Sequence, residues 1–197
     1  MEVLLETDRL VLRRFTEADV DNLVELDADP QVMRYINGGP ATERAEVAND
    51  ILPRFLWYYE SFVPYGFWAC VEKATGAFIG WFHLRPMPET GVADQPELGY
   101  RLRRQSWGKG YATEGSRALI DMAFRDFGAS RVFAETMAVN LGSRRVMEKA
   151  GMRLVREFQA DWPVQIDGDE HGDVEYAITR DEWERANRPP AAGRDGT

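Results

Sequence analysis

An anion-binding loop is indicated at residues 105–110, which read QSWGKG. The preceding segment, 97–102, alternates along its length between turn residues, and this pattern predicts a strand. After the loop, apolar residues recur at helical spacing from Tyr111 to Phe127, and Gly128 follows at the place of a helix C-cap. A strand, a glycine turn and a helix start direct free backbone N–H groups and the positive end of a helix dipole toward one point. Such a point binds phosphate.

The spacing of the loop separates three kinds of phosphate site. A Walker A loop requires a glycine five residues before Gly108 and a Ser or Thr after the Lys, where this chain has Arg103 and Gly110. A dinucleotide fingerprint requires a third glycine, where this chain has Thr113. The coenzyme A loop, [Q/R]-x-x-G-x-[G/A], matches Gln105 and both glycines. A turn that only joins a strand to a helix is the structural alternative.

The surrounding sequence supplies the elements that must position this loop. A strand is predicted at 10–15, and Thr16 caps the helix that follows. A second helix begins at Thr42 and bends at Pro53. The further predicted elements are a hairpin of strands 67–72 and 77–85, a surface connection 86–95, a strand 131–136, a helix 143–150, and strands 152–160 and 173–179.

Composition limits the class of protein. A chain of 197 residues with 44% apolar content suits a single domain, predicted at 1–186, followed by a disordered tail at 187–197. No stretch approaches 18 apolar residues, and Cys70 is the single cysteine, so we expect a cytoplasmic protein. The net charge of −9 argues against a nucleic-acid partner and agrees with a cationic acceptor.

Two further groups of residues have a mainly structural interpretation. The aromatic residues of the second predicted helix are expected to fill the core. His83 lies on a predicted strand and is expected to be solvated or hydrogen-bonded, and His171 lies in an acidic turn. Neither histidine has a partner at ligand spacing, so no metal site is predicted. The aromatic residues are Phe55, Trp57, Tyr58, Tyr59 and Phe62.

Three blocks of the chain resemble the GCN5-related N-acetyltransferase (GNAT) superfamily, more narrowly its ribosomal-protein alanine N-acetyltransferase branch. They read LETDRLVLRRFTEADVDNLVEL, ELGYRLRRQSWGKGYATEGSRALIDMAF and VNLGSRRVMEKAGM, in this order. The resemblance covers nearly the whole chain. It implies an α/β (α+β) fold with a central mixed, mostly antiparallel sheet, splayed at the strand before the loop and flanked by helices on both faces.

The resemblance also implies acetyl-coenzyme A as the co-substrate, and it gives the aromatic helix a second interpretation, as part of the lining of the acceptor pocket. Asn140 is expected to bridge the splayed strands or to contact the cofactor. Arg144, Arg145 or Lys149 would reach the nucleotide phosphate, unless they form only a solvated helix face. The residues expected to bind coenzyme A are Leu102, Arg103, Gln105, Trp107, Gly108, Lys109, Gly110, Tyr111, Ala112, Asn140 and Arg145.

Acyl transfer from a thioester to an amine needs a neutral amine, a polarised carbonyl and a proton for the thiol. Glu97 is the predicted general base, acting directly or through water, with an exposed strand-edge carboxylate as the alternative interpretation. Ser143 stands where the resembled branch places a hydroxyl near the sulfur, with a helix-start serine as the alternative. Glu114 is explained by the helix dipole. A backbone N–H around Arg101 or Leu102 would polarise the carbonyl.

These residues predict an acetyl-coenzyme A-dependent N-acetyltransferase that acts on a primary amine by direct attack. No acyl-enzyme is expected, because no motif activates Cys70 as a nucleophile. The acceptor would be a small-molecule amine or a peptide or protein N-terminus, with no nucleic acid or membrane as partner, and the protein a monomer or homodimer. The alternative is a coenzyme A-binding sensor or scaffold without turnover, which would share the loop.

Overall fold

The computed structural model describes residues 2–87, 92–162 and 164–188, with the backbone alone at 87, 92 and 93. Its strands are β1 (Val3–Glu6), β2 (Leu10–Arg14), β3 (Gly66–Glu72), β4 (Phe78–Met87), β5 (Val92–Leu102), β6 (Arg131–Met137), β7 (Arg153–Phe158) and β8 (Asp173–Thr179). They form one sheet in the order β1-β2-β3-β4-β5-β6-β8-β7. Every neighbouring pair is antiparallel except β5 and β6, which are parallel.

Helices connect the strands and cover the sheet. They are α1 (Val20–Asp27), α2 (Pro30–Met33), α3 (Arg44–Glu46), α4 (Leu52–Ser61), α5 (Tyr111–Arg125), α6 (Leu141–Lys149) and α7 (Arg180–Ala186). A π-helical turn, Val47–Ile51, joins α3 to α4, and 3₁₀ turns occupy Glu17–Asp19, Arg104–Ser106 and Asp169–His171.

Alternation along the strands divides the apolar side chains between two cores. Leu98 and Leu102 of β5 belong to the core that holds Leu119 of α5 and Met147 of α6. On the opposite face, Trp81 of β4 packs in a second core with residues of α1, α2 and α4. The sheet therefore has helices on both faces, and the predicted fold class is confirmed.

The parallel strands β5 and β6 separate partway along their length. Their register pair is Glu97 with Phe133. Beyond it, residues 99–102 of β5 pair with β4, and residues 135–137 of β6 pair with β8. Among the described residues no register pair joins the two strands past this point, so the sheet opens into a gap that leads toward residues 105–110. This is the predicted splay.

The structure corrects several element boundaries. The helix predicted to begin at Thr42 has its N-cap at Glu43, and the π turn precedes Pro53, whose missing N–H is tolerated at a helix start. The helix predicted from Ser143 begins two residues earlier, at Leu141. Strand β1 and helix α7 were not predicted, and residues 189–197 of the predicted tail lie outside the described residues.

The predicted surface connection at 86–95 is wrong in extent. Strand β4 continues to Met87 and β5 begins at Val92, and these two residues pair with each other. The described residues of this segment, 86–87 and 92–95, therefore lie in paired strands, and residues 88–91 lie outside the described part. Prolines and acidic residues suggested a loop, but tertiary pairing overrides that local preference.

Candidate active site

Residues 105–110 form an open loop at the end of the gap. After the 3₁₀ turn, Gly108 and Gly110 have φ values of 73° and 84°, in the left-handed region that glycine adopts without strain. A Cβ at Gly108 would meet no atom within 4 Å, so this part of the main chain faces open space. Helix α5 starts at Tyr111 without a side-chain cap from the described residues. Its first N–H groups and its dipole are therefore available to an anion.

Arg9 contacts both the loop and the first turn of α5. Its guanidinium donates to the Lys109 carbonyl at 2.9 Å, lies 4.5 Å from the ring centroid of Tyr111, and pairs with Glu114 at 2.6 Å. Burial would raise the pKa of Glu114, but hydrogen bonds from Thr7 and Arg9 outweigh it and hold that pKa below its usual value. Glu114 therefore has a structural role, but through Thr7 and Arg9 in addition to its place in the first turn of α5.

Gln105 and the two arginines that precede the loop line an open cavity. Arg103 pairs there with Glu25 of α1 at 2.8 Å, and the indole of Trp107 donates to the Leu102 carbonyl at 2.8 Å. The polar lining thus consists of two guanidinium groups, one amide and two carboxylates, and one of these carboxylates neutralises Arg103. The cavity has a volume of about 470 Å³ and is lined by Glu25, Leu26, Asp29, Val32, Arg103, Arg104 and Gln105.

Helix α6 borders the gap on the β6 side. Asn140 caps it by accepting the Ser143 N–H at 3.2 Å, and its amide donates to Thr136 Oγ1 at 3.1 Å. Both partners belong to the β6–α6 side, so the expectation that Asn140 bridges the splayed strands is not met. Arg144 donates to Tyr176 and to the Ala138 carbonyl, whereas Arg145 on the same helix is exposed.

Tyr100 crosses the gap from β5 and meets Ser143. Its hydroxyl oxygen lies 2.9 Å from Ser143 Oγ and donates to the Ser143 carbonyl at 3.2 Å. Burial raises the pKa of Tyr100 to about 12, against the smaller lowering by Ser143. Tyr100 was not predicted as a site residue, although its place on the inward side of a strand beside the loop was the available signal. Ser143 is therefore more than a helix-start residue, since its hydroxyl is held at the gap.

Glu97 lies at the point where the gap begins. Its side chain is only 14% exposed and its carboxylate forms an ion pair with Arg85. The alternative of an exposed strand-edge carboxylate is therefore wrong. Arg101, on the same face of β5, forms a buried ion pair with Asp27 at 2.6 Å, which fixes α1 beside the gap.

His83 is buried beside Glu97, contrary to the expectation of a solvated or hydrogen-bonded histidine. Its ring packs against Phe67 and Trp81, with centroids at 4.8 and 5.7 Å, and Nε2 lies 3.8 Å from Glu97 Oε2. Neither ring nitrogen has a hydrogen-bond partner among the described residues. Burial, Arg85 and Arg101 together lower the pKa of His83 well below its usual value.

The aromatic residues of α4 mainly fill the core. Phe55 stacks on Phe67 with centroids 4.1 Å apart, and the Tyr59 hydroxyl accepts the Phe15 N–H at 2.9 Å. Trp57 is 52% exposed. Packing thus accounts for the buried members of this cluster.

The described residues contain no helix long and apolar enough to cross a membrane. Nor do they bring together three His, Cys, Asp or Glu side chains that could hold a metal ion. His171 is exposed in the turn between β7 and β8 and pairs with the adjacent Glu170.

Residues 9–153 match the family model described as "Acetyltransferase (GNAT) domain", and the chain belongs to this family. It is 36% identical over 191 residues to the FsC-acetyl coenzyme A-N(2)-transacetylase of Aspergillus fumigatus, covering 94% of this chain and 80% of that protein. The chain is accordingly an N-acetyltransferase with acetyl-coenzyme A as acyl donor, and the predicted superfamily is confirmed.

Solved structures show the same fold at lower identity. RimL, a ribosomal L7/L12 alpha-N-protein acetyltransferase in complex with coenzyme A, superposes with a TM-score of 0.74 at 18% identity, over 90% of this chain and 98% of that one. The aminoglycoside acetyltransferase AAC(6')-Ib in complex with coenzyme A gives 0.70 at 22% identity, over 91% and 99%.

Proposed function

We propose that this protein transfers the acetyl group of acetyl-coenzyme A to the α-amine of a peptide or small molecule, within the gap between β5 and β6. The observation that carries the proposal is the gap itself, which ends at the uncapped N-terminus of α5. Residues 99–102 have no β6 partner in the register, so their edge amides and carbonyls can bind an extended ligand chain.

The residues around the gap fit coenzyme A. The N–H groups at residues 108–112 suit its diphosphate. Trp107 and Leu102, joined by a hydrogen bond of 2.8 Å, lie where the strand leads into the loop. We expect the exposed Arg145 of α6 to contact the nucleotide phosphate. When bound, the thioester supplies the electrophilic carbonyl carbon.

The chain's own groups then supply proton transfer and charge stabilisation. The Glu97 carboxylate takes a proton from the amine, directly or through water, as its nitrogen bonds to the carbonyl carbon. An edge N–H near Arg101 stabilises the negative charge that develops on the carbonyl oxygen. The Ser143 hydroxyl donates toward the sulfur as the carbon–sulfur bond breaks.

An α-amine fits this mechanism better than a lysine side chain. With a pKa of about 7.7–8.0 it is partly neutral at physiological pH, whereas a lysine amine near 10.4 is almost entirely ammonium. The similar proteins support this acceptor class, since one acts at an N(2) position and another at a protein α-amine.

A matched pair of peptides tests the acceptor. One begins with a free alanine α-amine and has its lysine blocked; the other has the same sequence with a blocked N-terminus and a free lysine. Thiol release from acetyl-coenzyme A should be at least tenfold faster with the first. Ornithine, spermidine and kanamycin complete the panel, and release only with lysine, spermidine or kanamycin would contradict the α-amine proposal.

Cofactor placement is tested separately. Arg145→Ala should raise the Kd for coenzyme A but leave that for dephospho-coenzyme A unchanged, because only the former carries the additional phosphate. Equal effects on both ligands would show that Arg145 does not contact this phosphate. Binding of acetyl-coenzyme A without thiol release by any amine would favour the sensor interpretation.

A further inference from the structure

The imidazole of His83 is buried next to Glu97 without a hydrogen bond in the part of the chain that the structure describes. Its side chain is 8% exposed, and both ring nitrogens lack partners among the described residues. A buried polar group normally has a hydrogen bond, because its desolvation otherwise costs about 1–3 kcal/mol. An aromatic side chain of similar size would fill the space between Phe67 and Trp81 without that cost. The nitrogens therefore call for a functional explanation.

The backbone of β5 leaves room for this ring. His83 is paired with Gly99, and a Cβ on Gly99 would lie 2.5 Å from His83 Nε2. Any other residue at 99 would collide with the imidazole. Gly99 lies just past the last β5–β6 register pair, so the ring that covers Gly99 lies at the start of the gap.

The charges around the ring favour a neutral imidazole. Arg85 on β4 and Arg101 on β5 face it as cations, and Glu97 on β5 faces it as the anion. Glu135 on β6 in turn faces Glu97. Burial raises the pKa of Glu135, and the negative charges of Glu97 and Glu175 raise it further. At and above pH 6.5, His83 thus has one N–H to donate and one lone pair to accept.

We propose that His83 is a positioning residue for Glu97: when the amine binds, Nε2–H donates to the Glu97 carboxylate and holds it toward the amine nitrogen. The present separation of 3.8 Å is longer than a hydrogen bond, and a small rotation of the carboxylate closes it. The proton of the amine goes to Glu97, and His83 changes neither charge nor covalent state. This inference rests on the proposed role of Glu97.

Two substitutions at His83 separate positioning from packing. His83→Phe keeps an aromatic ring and removes both nitrogens; His83→Gln keeps a neutral donor that reaches the same region. With acetyl-coenzyme A and the fastest amine of the panel, His83→Phe should lower kcat about 100-fold, because a misplaced base costs about that much. His83→Gln should stay within about fivefold of wild type, and the Kd for acetyl-coenzyme A should not change in either.

The pH profile provides a readout that a packing role would not move. A donor to the carboxylate favours its ionised form, and this bond forms only in the complex with the amine, so His83→Phe should shift the acidic limb of the kcat profile to higher pH, whereas His83→Gln should leave it in place. Glu97→Gln should lower kcat by 10²–10⁴-fold, and the Glu97→Gln/His83→Phe double variant should be no slower.

The outcomes distinguish the two proposals. If Glu97→Gln keeps wild-type activity, the proposed base is wrong and the role of His83 falls with it. If Glu97→Gln is inactive but His83→Phe retains its rate and pH profile, only the inference about His83 is overturned.

A measurement on the wild-type protein does not depend on either variant folding. The chain has two histidines, so ¹⁵N-labelled imidazole signals can be assigned readily. In the dead-end complex with coenzyme A and the amine, the His83 Nε2 signal should move to that of a hydrogen-bonded N–H at pH 7. A protonated imidazole, or no change on forming the complex, would overturn the proposal.

Discussion

At the scale of single residues, the site consists of pairs drawn from different elements. Ser143 on α6 meets Tyr100 on β5, and Glu97 on β5 lies between Arg85 and His83 of β4. In each pair one member was predicted and its partner was not. Because the partner fixes the direction of the functional atom, we expect both residues of each pair to be needed for the reaction.

Removal of the Tyr100 hydroxyl tests the first pair. Tyr100→Phe should lower kcat about tenfold, which corresponds to about 1.4 kcal/mol, because the Ser143 hydroxyl loses the bond that orients it. Since the pKa of Tyr100 is raised to about 12, the phenol stays protonated up to about pH 10, and no alkaline limb should arise from it below that pH. Steady-state kinetics over pH 6–10 measure both effects.

A double variant tests whether the two hydroxyl groups act together. The Tyr100→Phe/Ser143→Ala double variant should be no slower than Ser143→Ala alone. Tyr176→Phe is the control, because it also removes a buried hydroxyl bonded to α6, through Glu148 at 3.0 Å. It should lose similar stability with kcat unchanged, and a matching fall in its kcat would make the effect of Tyr100 a packing effect.

At the scale of elements, the glycines of the loop and of the two helices around the gap differ in what an added Cβ would meet. Gly108 and Gly76 have nearly the same backbone, with φ values of 73° and 70°, and a Cβ at either would meet no atom within 4 Å. Gly115 in α5 faces Phe82, where a Cβ would lie 2.7 Å from Cε1. At Gly142 in α6, an added Cβ would meet only Asn140 Oδ1 of the described residues, at 3.7 Å, which is an ordinary van der Waals contact.

Gly108→Ala should weaken coenzyme A binding at least tenfold, because a side chain would stand where the diphosphate approaches the main chain. Gly76→Ala is the matched control at the tip of the β3–β4 hairpin. Both should lose about 1 kcal/mol of stability from the positive φ, but only Gly108→Ala should raise the Kd. If calorimetry gives equal Kd values for the Gly108→Ala and Gly76→Ala variants, the loop does not bind coenzyme A.

The same substitution in two helices should have opposite signs. Gly115→Ala should destabilise the protein by about 1–3 kcal/mol, because the added methyl overpacks the core against Phe82. Gly142→Ala should stabilise it by about 0.5–1 kcal/mol through helix propensity. Urea unfolding monitored by circular dichroism measures both, and a stable Gly115→Ala would show that α5 can move away from β4.

At the scale of the whole molecule, ion pairs across element boundaries make stability depend on acid. Asp19, with its side chain 3% exposed, joins the start of α1 to β2 through Arg13 at 2.7 Å. Burial would raise the pKa of Asp19, but hydrogen bonds from Arg13, the Thr16 N–H and Asn22 outweigh it and hold the pKa below 3.8. Arg131 and Arg156 similarly outweigh burial and lower the pKa of Glu175.

A carboxyl group whose pKa is depressed on folding stabilises the fold above its unfolded pKa and loses that contribution as pH falls through the folded value. The free energy of unfolding should therefore begin to fall below about pH 4.5 and continue falling through pH 3. Asp19→Asn should lower it by about 1.5–3 kcal/mol at pH 7 and flatten this slope. The side chain of Asp21 is 80% exposed in its ion pair with Arg44. Asp21→Asn should therefore change the free energy of unfolding by less than about 0.5 kcal/mol. A slope unchanged by Asp19→Asn would contradict this assignment.

Local pattern and spacing sufficed for much of this protein. The helical period from Tyr111 onward, the glycines at 108 and 110 and the alternation at 97–102 are enough to identify the loop, its helix and its strand. These features are readable because each depends on contacts within a few residues.

Only the tertiary structure decided which side chains face each other across the gap. Tyr100 and Ser143 are 43 positions apart, and the pairing of His83 with Gly99 depends on the register of two strands. A shift of one residue in that register would place every side chain of β5 on the opposite face of the sheet. No local signal encodes such a register, because it is set by how the whole sheet and both cores pack.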